Sequence, residues 1–196
     1  MGLFAEEPDP LAYQPEQSTA IFIPTTAQNL VTGLWSWTST SAALSPTGNG
    51  ATITVSGSGN SSMLTCTGFP AGALDAINGD ALITKFSFQQ QGRVQRTGIY
   101  APESKIFLMK NGVVQANNNS INQGTNPLWS ALDTTVIVPT GTLFGAAVKA
   151  GTYGPGYRIE SADSNVAGTS DIRGVTMQVF YQNPIPSGGT LLLCEA

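Results

Sequence analysis

The chain has 196 residues, of which only 10% are charged, against 41% hydrophobic, with 22 glycines and no histidine. An average soluble domain is roughly 25% charged, so the scarcity of Lys and Glu argues against exposed helix faces, coiled coils and polyelectrolyte disorder. The net charge of −4 comes from Glu6, Glu7, Asp9 and Glu16 in the first 28 residues, where no base occurs; the rest of the chain holds eight acids and eight bases. No basic stripe exists to meet phosphates, which excludes a nucleic-acid partner. No apolar run approaches the ~20 residues that span a bilayer, so no membrane partner is expected either.

Residues 1–28 read as an extended N-terminal arm. Pro8, Pro10, Pro15 and Pro24 prevent a persistent helix. Leu3, Phe4, Leu11, Tyr13, Ile21 and Phe22 recur with no regular period. A free tail would waste such side chains. A peptide of this kind gains affinity by filling pockets on a neighbouring surface, so these six residues are the candidate attachment set. The other use open to the arm is to lie along its own domain.

Residues 29–196 read as one β domain. Leu34–Thr38 places Trp35 and Trp37 on one face. Ala51, Ile53 and Val55 alternate with polar residues. In Leu82–Phe88 the pattern sets Leu82, Thr84, Phe86 and Phe88 together, opposite Ile83, Lys85 and Ser87. Val175, Met177, Val179 and Tyr181 form another period-two face. Such alternation predicts antiparallel sheets half buried against a second layer. Asn111-Gly112 between two apolar runs predicts a two-residue hairpin, because both residues accept positive φ. Further strands are expected near 63–67, 93–101, 134–138, 143–149, 157–161 and 191–193. Only Gly72–Asn78 reads as briefly helical. Two facing sheets follow as the architecture: an all-β, antiparallel jelly-roll sandwich preceded by the arm.

Absent histidine removes the Ser–His–Asp triad and His-ligated zinc. Asp75 with Asp80, and Asp163 with Asp171, flank turns, where a carboxylate ordinarily caps the backbone. Neither pair predicts hydrolysis, and Asp163-Ser164-Asn165 lacks the spacing of a calcium loop. No catalytic, metal or cofactor role is assigned. Cys66 and Cys194 form no metal-binding pair and read as buried thiols of a protein made in a reducing compartment, with no signal peptide in view at Met1–Leu3. Trp129, and the tyrosines of a predicted Tyr153–Tyr157 loop, are the candidate glycan contacts.

Four pieces carry a family likeness: Lys85–Phe88; Lys105–Gly112; Val138–Phe144, a strand, a Pro–Gly turn and a strand; and Gly174–Gln182. Together they resemble the compact trimeric jelly roll of the tumour-necrosis-factor and complement-head type, versions of which occur in tailed-phage appendages and head-decoration proteins. The likeness runs over about residues 80–183, and Gly151–Gln182 is similar to phage structural proteins of this kind. The resemblance implies a homotrimer without enzymatic activity. It would be made in the host cytoplasm and sit on the virion exterior as a capsid cement or decoration protein, bound through its arm to the major capsid protein or another virion protein. The alternative it implies is a receptor-binding knob or tip of a tail appendage, recognising glycans or a cell surface.

Overall fold

A computed structural model of the chain describes residues 12–30, 33–97, 103–120, 123–125, 128–161 and 164–186. The fold is all-β. Twelve strands are described: β1 (Gln17–Ser18), β2 (Thr26–Leu30), β3 (Ala51–Ser56), β4 (Gly59–Asn60), β5 (Met63–Thr67), β6 (Leu82–Arg96), β7 (Glu103–Lys110), β8 (Val113–Ser120), β9 (Gly124–Thr125), β10 (Asp133–Ile137), β11 (Tyr153–Ser161) and β12 (Ala167–Gln182). One sheet runs β1-β12-β6-β10, with β3 also on β12 and β9 also on β6. The other runs β2-β5-β11-β7-β8, with β4 on β11. Every described pairing of named strands is antiparallel except the short β6–β9 contact.

β6 and β12 pair from Gly168↔Arg96 to Gln182↔Leu82 and form the spine of the first sheet. Two bulges keep its apolar residues inward. The register jumps from Arg173↔Gln91 to Thr176↔Gln89, absorbing Gly174 at φ +64°. Glycine adopts that angle without steric cost. Ile172 and Val175, three residues apart, are thereby both fully buried. On β6 the extra residue is Thr84, between Ile83↔Tyr181 and Lys85↔Phe180. The face expected for Leu82, Thr84, Phe86 and Phe88 breaks there: Ile83 joins Phe86 and Phe88 in the core, while Leu82 and Thr84 are only partly buried. The Val175–Tyr181 alternation holds, with all four apolar residues buried.

The sheets meet through aromatic stacking. Phe86 of β6 lies 5.6 Å from Tyr153 of β11, centroid to centroid and nearly coplanar, and 6.2 Å from Phe88. Polar groups inside this layer are matched, as burial requires. Tyr157 Oη donates to Gln90 Oε1 across the sandwich (3.3 Å), and Gln90 Nε2 donates to Asp133 Oδ2 (3.4 Å). Gln123 Nε2 donates to both Ser104 Oγ and Ser170 Oγ, 2.7 and 2.5 Å away. Cys66 is fully buried and burial pushes its thiol far up, so it is an inert core residue. Cys194 and the strand expected at 191–193 lie outside the described residues.

Four local expectations are corrected. Gly154-Pro155-Gly156 is not a loop but the interior of β11, in register with Met109, Leu108 and Phe107. Its glycines answer close packing: a Cβ on Gly154 would sit 2.0 Å from the Cys66 carbonyl oxygen. The strand expected at 143–149 is a short helix, α1 (Gly145–Ala150), reached after Leu143 accepts a bond from the Ile83 amide (2.8 Å). Gly145 permits that entry, since a Cβ there would meet the Asn78 carbonyl oxygen at 2.1 Å. Leu34–Thr38 is extended but paired only through single bridges, Trp35↔Ser61 and Thr38↔Thr52; Trp37 is buried and donates to the Ser62 carbonyl at 3.0 Å. The helical reading of 72–78 resolves into successive tight turns closed by Asp75→Gly72 and Ile77→Leu74 bonds, each 3.1 Å. The Asn111-Gly112 hairpin forms as expected, with φ of +50° and +80°.

Two alanine substitutions separate steric from conformational need for glycine. Gly141 has φ +84° and open space around its Cβ position, so Gly141→Ala should cost only the backbone strain, about 1–2 kcal/mol. Gly154 has no positive φ, so Gly154→Ala carries no such strain; it must instead displace the β5 backbone and should cost about 3 kcal/mol or more. Thermal melting of the two variants side by side checks this; equal losses would contradict it.

Candidate functional site

The described part of the arm is laid onto the body. Ile185 N donates to the Ala12 carbonyl (2.7 Å) and Gln14 N to that of Asn183 (2.8 Å), flanking a Tyr13↔Pro184 bridge. β1 pairs with Tyr181 and Phe180, and Phe22 exchanges two bonds with Met177, at 3.0 and 2.8 Å. Phe22 then packs against Phe69, 5.5 Å between centroids, and β2 closes the edge of the second sheet on β5. The boundary expected at residue 28 therefore falls inside a strand. Proline does not prevent this, because an edge strand needs partners on one side only. Of the six candidate attachment residues, Phe22 is turned inward, Tyr13 is half-buried and Ile21 is exposed. Leu3, Phe4 and Leu11 lie outside the described residues.

Charge also ties this segment down. Glu16 accepts from Lys85 Nζ and from Thr84 Oγ1, each at 2.6 Å, and Lys85 Nζ sits 4.5 Å above the Phe180 ring. The Lys85 bond, then the Thr84 bond, hold the Glu16 carboxyl below its ordinary range. One of the four acids of the first 28 residues is thus spent on its own domain.

The two edges of the first sheet carry exposed apolar side chains. Along the β10 edge these are Leu132, Val136 and Val138, with Leu128 nearby; beside β1 they are Ile21, Ile23 and Ile185. All are at least 46% exposed.

The polar focus of the first sheet's outer face is Trp129. The Arg173 guanidinium carbon lies 4.0 Å and that of Arg93 4.5 Å from its ring centroid. Arg93 Nε donates to Asp171 Oδ2 (2.7 Å), while Thr52 Oγ1 donates to Oδ1 (2.6 Å). Arg173 donates to Gln91 Oε1 and the Gly48 carbonyl, at 3.1 and 2.9 Å. Burial, then the like charge of Arg93, lower the Arg173 guanidinium from its usual value. The indole is engaged by two cations of its own chain, and Asp171 is committed to Arg93 and Thr52. Asp163 lies outside the described residues, among which no cluster of three or more metal-binding side chains occurs.

Tyr153 and Tyr157 are corrected as glycan contacts. They are 2% and 0% exposed, on β11 rather than a loop, and their rings belong to the core. The Gly-Pro-Gly between them imitated a turn.

The structure assembles a cleft that no local pattern announced. About 400 Å³ opens between residues 68–75 and 149–152, lined by Thr25, Phe69, Pro70, Asp75, Lys149 and Thr152 among others. Its side chains come from three distant parts of the chain, and Asp75 alone drew attention, as a turn residue. A second cleft of about 310 Å³, lined by Lys110, Gln115, Phe144 and Tyr153 among others, lies near the β7–β8 hairpin. No family model matches this chain, and neither a curated protein nor a solved structure does.

The Glu16 contact carries a pH signature. A carboxyl depressed in the folded state adds stability above its unfolded titration, near pH ~4.3, and loses it as the pH falls through the lower folded value. Amide-exchange protection at Thr19 and Phe22, whose N–H groups pair with β12, should therefore drop in acid. Glu16→Gln should lower that protection at neutral pH and flatten its acid dependence; an unchanged profile would remove the role assigned to the pair.

Proposed function

We propose that the protein is a non-enzymatic virion structural protein: a trimeric jelly roll that decorates the outside of a tailed-phage head and is anchored by its extreme N-terminal segment. Counting β1, β5, β6, β7, β8, β10, β11 and β12 as first to eighth, the sheets run first-eighth-third-sixth and second-seventh-fourth-fifth. That order supports a jelly roll, and with it the family likeness of Lys85–Phe88, Lys105–Gly112 and Gly174–Gln182.

The observation that carries the proposal is the pair of apolar edges on one sheet. Different surfaces that fit each other make a heterologous contact, which closes into a ring when the rotation allows. Val136 and Val138 of one copy against Ile21, Ile23 and Ile185 of the next would bury side chains that a monomer leaves in water. The outer face between these edges is rich in Gln and Thr, whose amides and hydroxyls are already paired, as in Gln178 Nε2 donating to the Thr19 carbonyl at 2.8 Å.

Because residues 12–30 belong to the body, attachment falls to residues 1–11. Leu3, Phe4 and Leu11 would each contribute about 1.5–3 kcal/mol on burial in a capsid joint. Three linked segments raise the effective concentration further. Glu6, Glu7 and Asp9 would add little, since exposed pairs contribute about 0–1 kcal/mol each. The second reading, a receptor-binding knob, draws on the cleft at Phe69, Asp75 and Lys149.

Light scattering at micromolar concentration should give three times the chain mass. Val136→Asp with Val138→Asp, both at exposed positions, should give a folded monomer. A monomeric parent protein would sink the trimer. Deleting residues 2–11 should leave melting and oligomeric state nearly unchanged and abolish binding to particles stripped of the protein. Full occupancy by the truncated form would move the capsid contact to the body.

A further inference from the structure

We infer that the cleft between residues 68–75 and 149–152 is a binding site for an acidic sugar residue of the hexuronate type. The inference rests on the lining of the cleft and not on the virion reading.

The cleft divides into zones of different chemistry. Phe69 and Pro70 offer an apolar wall, Asp75 a carboxylate, Lys149 an ammonium, and Thr25 and Thr152 hydroxyls. A pyranose ring has the matching zones: C–H groups that pack on an aromatic ring, and hydroxyls that donate to the carboxylate and to the threonine oxygens, whose own protons are committed within the chain. Its carboxylate, in a hexuronate, answers Lys149. The volume of about 400 Å³ admits one such residue with room for its neighbour.

The two charges are available for that purpose. Asp75 and Lys149 line the same cleft yet form no ion pair with each other or with any described residue, whereas Lys85, Arg93, Lys105 and Arg158 all have carboxylate partners. Both are exposed. A chain this poor in charge that places one unpaired cation and one unpaired anion across a single cleft presents a pattern that a neutral apolar ligand would not use.

The walls are preformed. Thr25 N donates to the Gly68 carbonyl (3.4 Å) and Gly68 N to that of Tyr153 (3.2 Å), which joins the β5 end to the start of β11. Gly68 has φ +90°, and a Cβ there would lie 2.2 Å from Thr25 Oγ1. The opposite wall is fixed by Thr152, whose N and Oγ1 both donate to Asn111 Oδ1, at 2.8 and 2.9 Å. Little ordering is therefore needed on binding.

The test is an amide NMR titration of the full chain with methyl β-D-glucuronide, with methyl β-D-glucoside as the neutral probe. A ligand of this size is expected to bind in the millimolar range. Shifts should concentrate at 68–75 and 149–152, and the glucuronide should bind about threefold tighter than the glucoside, as one exposed ion pair provides. Lys149→Met should erase that preference. Asp75→Asn should weaken both ligands about tenfold, as loss of charge-assisted hydrogen bonds does. Melting curves equal to the parent's establish that both variants fold. No shifts at the cleft, shifts elsewhere only, or a preference that survives Lys149→Met would overturn the assignment.

Discussion

The constraint on which the fold depends is the long antiparallel pairing of β6 with β12. Each is about three times the usual strand length of ~5 residues, and each carries the other's register past a bulge. Everything in the first sheet is referenced to this pair. β3 and the described arm lie on the far side of β12, while β9 and β10 lie on the far side of β6. The second sheet is positioned through it too, because Phe86 and Gln90 on β6 are the residues that Tyr153 and Tyr157 of β11 touch. A slip of one residue between them would turn one strand's inward set, either Phe86 and Phe88 or Met177 and Val179, to solvent. The bulges at Thr84 and Gly174 prevent that slip by making only one alignment bury both ends.

Much of this was legible in the sequence, and for a consistent reason. The alternation at Val175–Tyr181 and the Asn111-Gly112 turn are local signals that report local geometry, and both hold. What local pattern misreads is geometry imposed from a distance. Thr84 sits outside its expected face because a neighbouring strand has one residue fewer. Gly154-Pro155-Gly156 has turn composition, yet its glycines serve the approach of the Cys66 carbonyl and of the Met109 and Met63 side chains. The Leu143–Lys149 segment alternates well enough for a strand, but its ladder is limited to a single Leu82↔Phe144 bridge before a helix follows. The cleft at Asp75 and Lys149 was invisible because these two residues stand 74 positions apart along the chain.

Charge is used sparingly and mostly internally. Glu160 illustrates this. Burial raises its carboxyl, but Lys105 and Arg158 outweigh burial and the net effect is lowering. Lys105 Nζ lies 2.7 Å from Oε2, and Arg158 also bonds Oε1 while its guanidinium carbon covers the Phe107 ring at 4.8 Å. Arg93 and Asp171 do the same on the opposite sheet. Ion pairs placed over aromatic rings shield apolar surface with their stems, so the few charged side chains also act as cover for the sandwich.

The path of residues 12–30, from the edge of β12 across Phe22 to the edge of β5, has a mechanical meaning. The segment belongs to both sheets, so a pull on residue 12 is delivered to the first sheet before it reaches the second. Because its bonds to β12 are spread from Asn183 back to Met177, tension directed away from the sheet opens them one after another, as in a zipper. Tension along the strand loads them in parallel. The direction of a pull on residue 12 therefore sets how much force the joint bears before the second sheet carries any of it.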